Sequence, residues 1–172
     1  MDRELNGERP GALSGLRVVD LSQTPPGAQA TQLLADFGAE VLYLEPPGGS
    51  PLRRQAAWPF WARGKRSLEV DLRDPGDLAV ARQLAEGADV VLESFRLGVA
   101  DRLGLGYREL AAANPGLIYT SITGFPATGP YASAPGYEPL VMARAGALDQ
   151  FAEIVERPGP VYVPTPYCGF SA

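Results

Sequence analysis

"LRVVDLSQTPPGAQATQLLADFGAEVLYLEP", residues 16–46, contains two short apolar runs separated by a segment with helical periodicity. The runs "LRVVDLS" (16–22) and "AEVLYLEP" (39–46) are rich in apolar and β-branched residues, which predicts two strands. The segment between them has apolar residues at helical spacing, two prolines at its start and a glycine at its end, which predicts a helix. Strand, helix and strand in this order form the unit from which parallel sheets are built.

The same alternation continues along the chain. Further strands are predicted at 67–72, 88–95 and 117–125, and further helices at 74–87, 107–115 and 138–151. The pattern predicts an α/β fold, a Rossmann-like parallel sheet with helices on both faces. Such sheets bind ligands beyond the carboxyl ends of their strands. The candidate functional loops are therefore 22–27, 46–66, 94–102 and 123–137.

The expected domain organisation is simple. We expect residues 1–14 to form a flexible leader and residues 15–172 to form one domain, which is long enough to bury a core. The last residues, "PYCGFSA", are typical of the opening of a further helix. We therefore expect the domain to be truncated at its C-terminus.

Composition excludes several classes of function. A net charge of −5 argues against nucleic acid as a partner, and the chain has no apolar run of the roughly 20 residues that span a membrane. Histidine is absent, which excludes a Ser-His triad or a histidine-based zinc site, so no metal is expected. A single cysteine, Cys168, and a polar N-terminus without a secretory signal predict a cytoplasmic protein.

A basic segment stands out in this acidic chain. Residues 53–66 hold five of the fifteen cations, among them the only lysine, Lys65, and they include both tryptophans. A solvated basic loop is one interpretation. The other is a pocket for a phosphorylated ligand with a flat base, because cations beside aromatic rings suit both parts of such a ligand. We expect Arg96 and Arg102 to join that pocket.

Neither common nucleotide motif is present. The turn "SQTPPGAQA" has one glycine, Gly27, where a dinucleotide fingerprint has three, and "ARGKRS" lacks the first glycine of a Walker loop. Glu45 ends a predicted strand where a ribose-binding acid would stand, but many strands end in an acid. We therefore expect neither NAD nor ATP.

Four segments in order resemble the family III coenzyme A transferases of the CaiB/BaiF type. They are residues 13–50, "RGKRSLEVDL", "ADVVLESFRLGVADRLGLGYRELAAANPGLIYTSITGF" and "GPYASAPGYE". The family includes formyl-CoA and carnitine-CoA transferases, and α-methylacyl-CoA racemase is a relative. The resemblance implies coenzyme A as acyl carrier, with an acyl-CoA and a small carboxylic acid as substrates. It also implies a homodimer, or pairing with a second transferase domain.

The resemblance also implies which residues contact the coenzyme. The matching positions are Arg63, Lys65, Arg66, Ser94, Phe95, Arg96 and Arg102, with Thr24 and Pro25 beside the thioester end. The family nucleophile is an aspartate that follows "Pro-x-x", and the matching residue is Tyr167. A phenol, with a pKa near 10, cannot form an acyl anhydride, so we expect no catalytic residue here and an inactive isolated chain.

Two functional hypotheses stay open. The chain is either the N-terminal part of a transferase whose carboxylate lies elsewhere, or a degenerate, non-catalytic half that binds CoA and supports an active partner. An acyl-CoA racemase relative is less favoured, because Tyr137 stands where racemases of this group carry a histidine.

Overall fold

The computed structural model describes residues 11–154, 158–159 and 161. Five parallel strands form one sheet in the order β3-β2-β1-β4-β5. The strands are β1 (Arg17–Asp20), β2 (Glu40–Glu45), β3 (Lys65–Glu69), β4 (Val90–Glu93) and β5 (Ile118–Ser121). The helices are α1 (Pro25–Asp36), α2 (Trp58–Trp61), α3 (Pro75–Glu86), α4 (Val99–Leu103), α5 (Tyr107–Ala113), α6 (Glu138–Arg144) and α7 (Ala147–Ile154), with a 3-10 turn at Pro51–Arg54.

Helices cover both faces of the sheet, as the sequence predicts. Successive side chains of a strand point to opposite faces. Val18 of β1 packs with Leu34 and Ala35 of α1 on one face. On the other face Val19 belongs to a larger cluster with Ala81 of α3 and Leu110 of α5. Apolar burial on two faces explains the near-continuous hydrophobic runs of β1 and β4.

The starts of the two long helices differ in their capping. The carboxylate of Asp74 accepts hydrogen bonds from the backbone N–H groups of Gly76 (2.8 Å) and Asp77 (3.0 Å), which caps α3. Thr24 precedes α1 but makes no such bond with its side chain. Pro25 and Pro26 occupy the first turn of α1, so that turn offers fewer N–H donors than a standard helix start.

Several predicted elements differ from those of the structure. β3 begins at Lys65 and ends at Glu69, two to three residues earlier than the predicted 67–72. The predicted helix 138–151 is two helices, because Gly146 adopts a left-handed conformation (φ +75°) between them. The loop before β3 contains the 3-10 turn and α2, each with proline in its first turn, and α4 was not predicted.

Residues 11–14 fall within the leader expected from the sequence, and they form a turn against the end of α1. The backbone N–H of Leu13 donates to the carbonyl of Phe37 at 2.9 Å, and its side chain packs on the α1 face of the sheet. Tyr167, Cys168 and the expected start of another helix lie outside the described residues. Over the described ranges, every helix is too short or too polar to cross a membrane.

Candidate functional site at the strand switch point

The chain reverses its direction of travel across the sheet between β1 and β4. From β1 it proceeds to β2 and β3 on one side, and then returns to β4 and β5 on the other. Loops that leave neighbouring strands in opposite directions open a crevice at the carboxyl edge. Here the N–H of Gln23, after β1, donates to Ser94 Oγ, after β4, at 3.1 Å. This hydrogen bond joins the two loops at the base of the crevice.

A cleft of about 560 Å³ lies at this point, and we call it the switch-point cleft. It lies between the loops after β1 and β4 and the segment that follows β5. Its walls are Thr24, Ser94–Leu97, Val99, Arg102, Ile122–Phe125, Ala127 and Ala132–Tyr137. Five of the nine coenzyme contacts implied by the resemblance line it: Thr24, Ser94, Phe95, Arg96 and Arg102.

The switch-point cleft carries positive charge. Arg96 and Arg102 are both exposed, and no acid is among the described residues of its walls. Arg96 Nη2 donates to the hydroxyl of Tyr137 at 3.3 Å, across the cleft. Two guanidinium groups without a carboxylate between them favour an anionic ligand, and phosphate oxygens match their donor geometry.

Thr24 contributes a free polar group to the same cleft. Its Oγ1 atom is buried and has no hydrogen-bond partner among the described residues. A buried hydroxyl normally has a partner, since an unmade hydrogen bond costs free energy. The Thr24 hydroxyl is therefore available to a polar group of a bound molecule.

A second cleft of about 400 Å³, which we call the β3 cleft, lies at the carboxyl ends of β1, β2 and β3. Phe95 borders both clefts. The other walls are Leu21, Gln23, Leu44–Pro47 and Val70–Arg73. Arg73 donates to Asp71 at 2.9 and 3.0 Å, and these bonds lower the pKa of the Asp71 carboxyl.

Sequence reasoning missed the β3 cleft because it placed residues 70–72 inside a strand. Since β3 ends at Glu69, these residues and Arg73 belong to a loop at the carboxyl edge. The run "VDLRD", with two acids and an arginine around Leu72, carried a signal for a strand end.

The carboxylate of Glu45 is hydrogen-bonded to other groups of the chain. It accepts from Nε and Nη2 of Arg53, both at 2.7 Å, and from the backbone N–H of Ser50 at 2.8 Å. The Arg53 guanidinium is the main reason that the pKa of the Glu45 carboxyl is lowered, against the effect of burial. Arg53 also stacks on the ring of Trp58 at 5.1 Å. Glu45, which lies where a ribose-binding acid would be expected, therefore holds the loop after β2 in place.

The cations at the other end of the basic segment lie away from the switch-point cleft. Because β3 begins at Lys65, which pairs with Val41 near the start of β2, the preceding loop ends at the amino side of the sheet. Arg63 donates to Asp36 at 2.6 Å, and Arg66 lies 3.7 Å from Glu40. None of residues 53–66 lines the switch-point cleft with Arg102. Four of their five cations face acids of the chain instead, namely Arg53, Arg63, Lys65 and Arg66.

Lys65 is buried. Its side chain is 4% exposed, and Nζ donates to Asp20 Oδ2 (3.2 Å), the carbonyl of Ala28 (2.8 Å) and Thr31 Oγ1 (2.6 Å). Desolvation lowers the pKa of the Lys65 ammonium, and the Asp20 carboxylate partly opposes that effect. Pro25 begins α1 beside Thr24.

Comparison with known proteins agrees with the geometry. The sequence model of CoA-transferase family III matches residues 13–171. The succinyl-CoA–D-citramalate CoA-transferase of Chloroflexus aurantiacus is 43% identical over 147 residues, which cover 80% of this chain and 37% of that protein. Human alpha-methylacyl-CoA racemase is 40% identical over 147 residues, covering 86% of this chain and 37% of the racemase.

Solved structures give the same result. Rv3272 from Mycobacterium tuberculosis superimposes with a TM-score of 0.82 at 39% identity, over 92% of this chain and 46% of that one. A CAIB/BAIF family protein from Brucella suis gives a TM-score of 0.79 at 34% identity, over 94% of this chain and 46% of that one. The chain thus spans less than half the length of these relatives. Its sequence match and its sheet together establish that the chain belongs to CoA-transferase family III.

Proposed function

We propose that this chain is the coenzyme A-binding N-terminal part of a CoA-transferase. The complete enzyme moves CoA from an acyl-CoA to a carboxylic acid. One observation carries the proposal: Arg96, Arg102 and the unpartnered hydroxyl of Thr24 line a single cleft at the switch point of a family III sheet. Coenzyme A combines phosphates with a long neutral arm, so it needs both cations and polar contacts without charge.

The two clefts suit different parts of the ligand. In this assignment Arg96 and Arg102 bind the phosphates, because guanidinium groups form paired hydrogen bonds with phosphate oxygens. The mainly apolar β3 cleft beyond Phe95 receives the adenine, and Arg73 stands at its margin. The Thr24 hydroxyl binds a polar group at the thioester end of the arm. Lys65 does not contact the coenzyme, since its three N–H donors all have partners within the chain.

The transfer chemistry requires a carboxylate nucleophile that this chain does not supply. In the proposed reaction that carboxylate attacks the thioester carbonyl, and the thiolate of CoA leaves. Since Tyr167 stands at the matching position, a second transferase domain or a second copy in a longer polypeptide provides the acid. The alternative is a non-catalytic half that binds CoA and pairs with an active partner, and the same switch-point cleft supports it.

Calorimetric titration with CoA tests the binding site. We expect saturable binding that weakens roughly 10- to 150-fold in Arg96→Gln and in Arg102→Gln, because each loses a charge-assisted hydrogen bond. Arg17→Gln is the matched control, since Arg17 is an exposed arginine at the amino end of β1, 3.8 Å from Asp89. Arg66→Gln tests the coenzyme contact implied by the resemblance, and we expect it to behave like the control.

The outcome that contradicts this assignment is specific. If the unmodified protein binds CoA and both cleft variants bind it as tightly as Arg17→Gln does, the phosphates lie elsewhere. A loss in Arg66→Gln, with or without a loss in Arg17→Gln, would move the site to the amino side of the sheet, where both arginines line one cleft. Raised salt should weaken binding of the unmodified protein, because the contact is between charges.

Trapping experiments separate the two hypotheses on catalysis. The chain is incubated with an acyl-CoA and then hydroxylamine, and intact mass is measured with and without the trap. We expect no covalent acyl or CoA adduct on this chain alone. An adduct on Tyr167 would refute the assignment of that position as unreactive, whereas transfer activity restored by a second domain carrying the aspartate would favour the enzyme over the binding half.

A further inference from the structure

We propose that Lys65 is a positioning residue, which fixes the turn after β1 and thereby the shape of the switch-point cleft. The inference rests on the proposed function for one of its two tests, and the other test is independent of CoA. Lys65 lies in β3, which is separated from β4 by two strands, yet its ammonium group reaches the carboxyl end of β1 and the first turns of α1.

The ammonium group joins three elements of the fold. One N–H donates to Asp20, the last residue of β1, and the other two donate to Ala28 and Thr31 in α1. Thr31 Oγ1 in turn donates to Asp20 Oδ2 at 2.5 Å. A buried ammonium with all three donors satisfied holds its partners in one arrangement, since any displacement leaves a buried charge without compensation.

The second oxygen of Asp20 transmits this arrangement to the cleft. Asp20 Oδ1 accepts from both the backbone N–H (2.9 Å) and the hydroxyl (2.6 Å) of Ser22. Ser22 lies against Gly27 at the start of α1, so closely that a side chain on Gly27 would overlap it. Thr24 lies between these two residues in the chain. The orientation of Thr24 therefore depends on Asp20, and that of Asp20 depends on Lys65.

A further titratable group, Tyr43, lies near the pair. Lys65 Nζ lies 5.5 Å from the centre of the Tyr43 ring, which extends from β2, and the Tyr43 hydroxyl donates to Ser50 instead. The α1 partners, Ala28 and Thr31, carry no charge. Within the described residues Lys65 and Asp20 form an ion pair in which both side chains are at most 4% exposed.

The first test measures CoA affinity at a temperature well below the unfolding transition of each variant. Lys65→Met keeps the length of the side chain and removes the ammonium. We expect its affinity for CoA to fall roughly tenfold, although Lys65 does not touch the ligand. The double variant Asp20→Asn/Lys65→Met leaves no unpaired charge and keeps an acceptor for Ser22, so we expect it to recover most of the affinity.

The second test needs no ligand. Amide chemical shifts are compared between the unmodified protein, Lys65→Met, the double variant and the control Arg17→Gln. We expect Lys65→Met to shift the amides of Ser22, Gln23, Thr24 and Gly27, and Arg17→Gln to leave them in place. If Lys65→Met does not fold, the double variant carries the comparison. Its Ser22–Gly27 amides should still shift more than those of Arg17→Gln, and amides that stay in place would show that the turn does not need Lys65.

The outcomes separate the two proposals. If the unmodified protein does not bind CoA, the proposed function fails, and the amide shifts alone decide on Lys65. If the unmodified protein binds CoA and Lys65→Met only unfolds at a lower temperature, with unchanged affinity and unshifted amides, Lys65 merely stabilises the fold. Loss of affinity together with shifted amides at Ser22–Gly27 supports a positioning role.

Discussion

At Gly27 the start of α1 lies close to the Ser22 side chain after β1, and Gly27→Ala probes that approach. A Cβ atom at this position would lie less than 3.0 Å from the Ser22 side chain and 3.2 Å from Leu92 Cδ2. Ser22 cannot move aside easily, because its hydroxyl donates to Asp20 at 2.6 Å. The start of α1 must therefore move away from the sheet.

The magnitude follows from two opposing effects. Overpacking a buried site costs about 1–3 kcal/mol, and alanine regains up to about 1 kcal/mol of helix propensity over glycine. The free energy of unfolding should therefore fall by up to about 3 kcal/mol, with about 1–2 kcal/mol in the middle of the range. A fall of about 1–2 kcal/mol corresponds to a decrease in melting temperature of about 2–8 °C for a domain of this size. Urea unfolding followed by circular dichroism gives the first quantity, and a thermal scan gives the second.

Two companion variants make the result decisive. Gly87→Ala, at the end of α3, meets only ordinary contacts, with Gln83 O at 3.5 Å, and should change the free energy of unfolding by less than about 0.5 kcal/mol. Ser22→Gly removes both overlapping atoms, so Gly27→Ala should cost less in that background than in the unmodified protein. Equal costs of Gly27→Ala in both backgrounds would refute the steric explanation.

Three further predictions concern the loops around the clefts. Arg53→Gln should lower the urea midpoint of unfolding at pH 7, because it leaves the buried Glu45 without its cation, whereas Arg54→Gln should leave that midpoint almost unchanged. Arg53 lowers the pKa of the Glu45 carboxyl in the folded state, so the stabilisation by this pair is present above the unfolded-state pKa and is lost as pH falls through the folded-state pKa. The effect of Arg53→Gln should therefore shrink toward pH 3, and an undiminished effect at that pH would contradict the prediction. Burial raises the pKa of Tyr43 to about 12, so the folded state keeps a proton that the unfolded state loses above about pH 10, and the free energy of unfolding should fall between these values. Absorbance titration should assign a late-ionising phenol that Tyr43→Phe lacks, and complete ionisation of the folded protein by pH 10.5 would rule this out. Gly124→Ala should weaken CoA binding roughly tenfold, because its Cβ atom would overlap Gly136 and displace the loop that lines the switch-point cleft. The control Gly116→Ala, whose Cβ atom would lie 3.6 Å from its nearest neighbour, should bind CoA as the unmodified protein does.

Local pattern was sufficient to predict the sheet. β1, α1 and β2 lie within the predicted segments, because each has a periodicity that burial on one or both faces requires. The α4 helix escaped prediction since it spans only five residues between two glycines with positive φ, Gly98 and Gly104, and five residues cannot display a helical period.

The site was only partly predictable, for a physical reason. Thr24, Ser94, Phe95 and Arg96 lie in the loops just after β1 and β4, so knowledge of the sheet places them together, and Arg102 follows in α4. The burial of Lys65 could not be predicted in this way, because it depends on a shift of two residues in the start of β3. That shift moves the residue from a loop into a strand, and its partners, Asp20 and Thr31, are distant in sequence. Charge composition cannot reveal such pairing.

The burial of Lys65 also has a practical consequence for chemical labelling. It is the only lysine in the sequence, and its amine is enclosed and fully hydrogen-bonded. Amine-directed dyes, cross-linkers and biotin esters should therefore leave the lysine of the native protein untouched and modify it only when β3 separates from α1. The rate at which Lys65 is modified would therefore measure how often this part of the sheet opens. Attachment of the protein to a surface through lysine would select unfolded molecules.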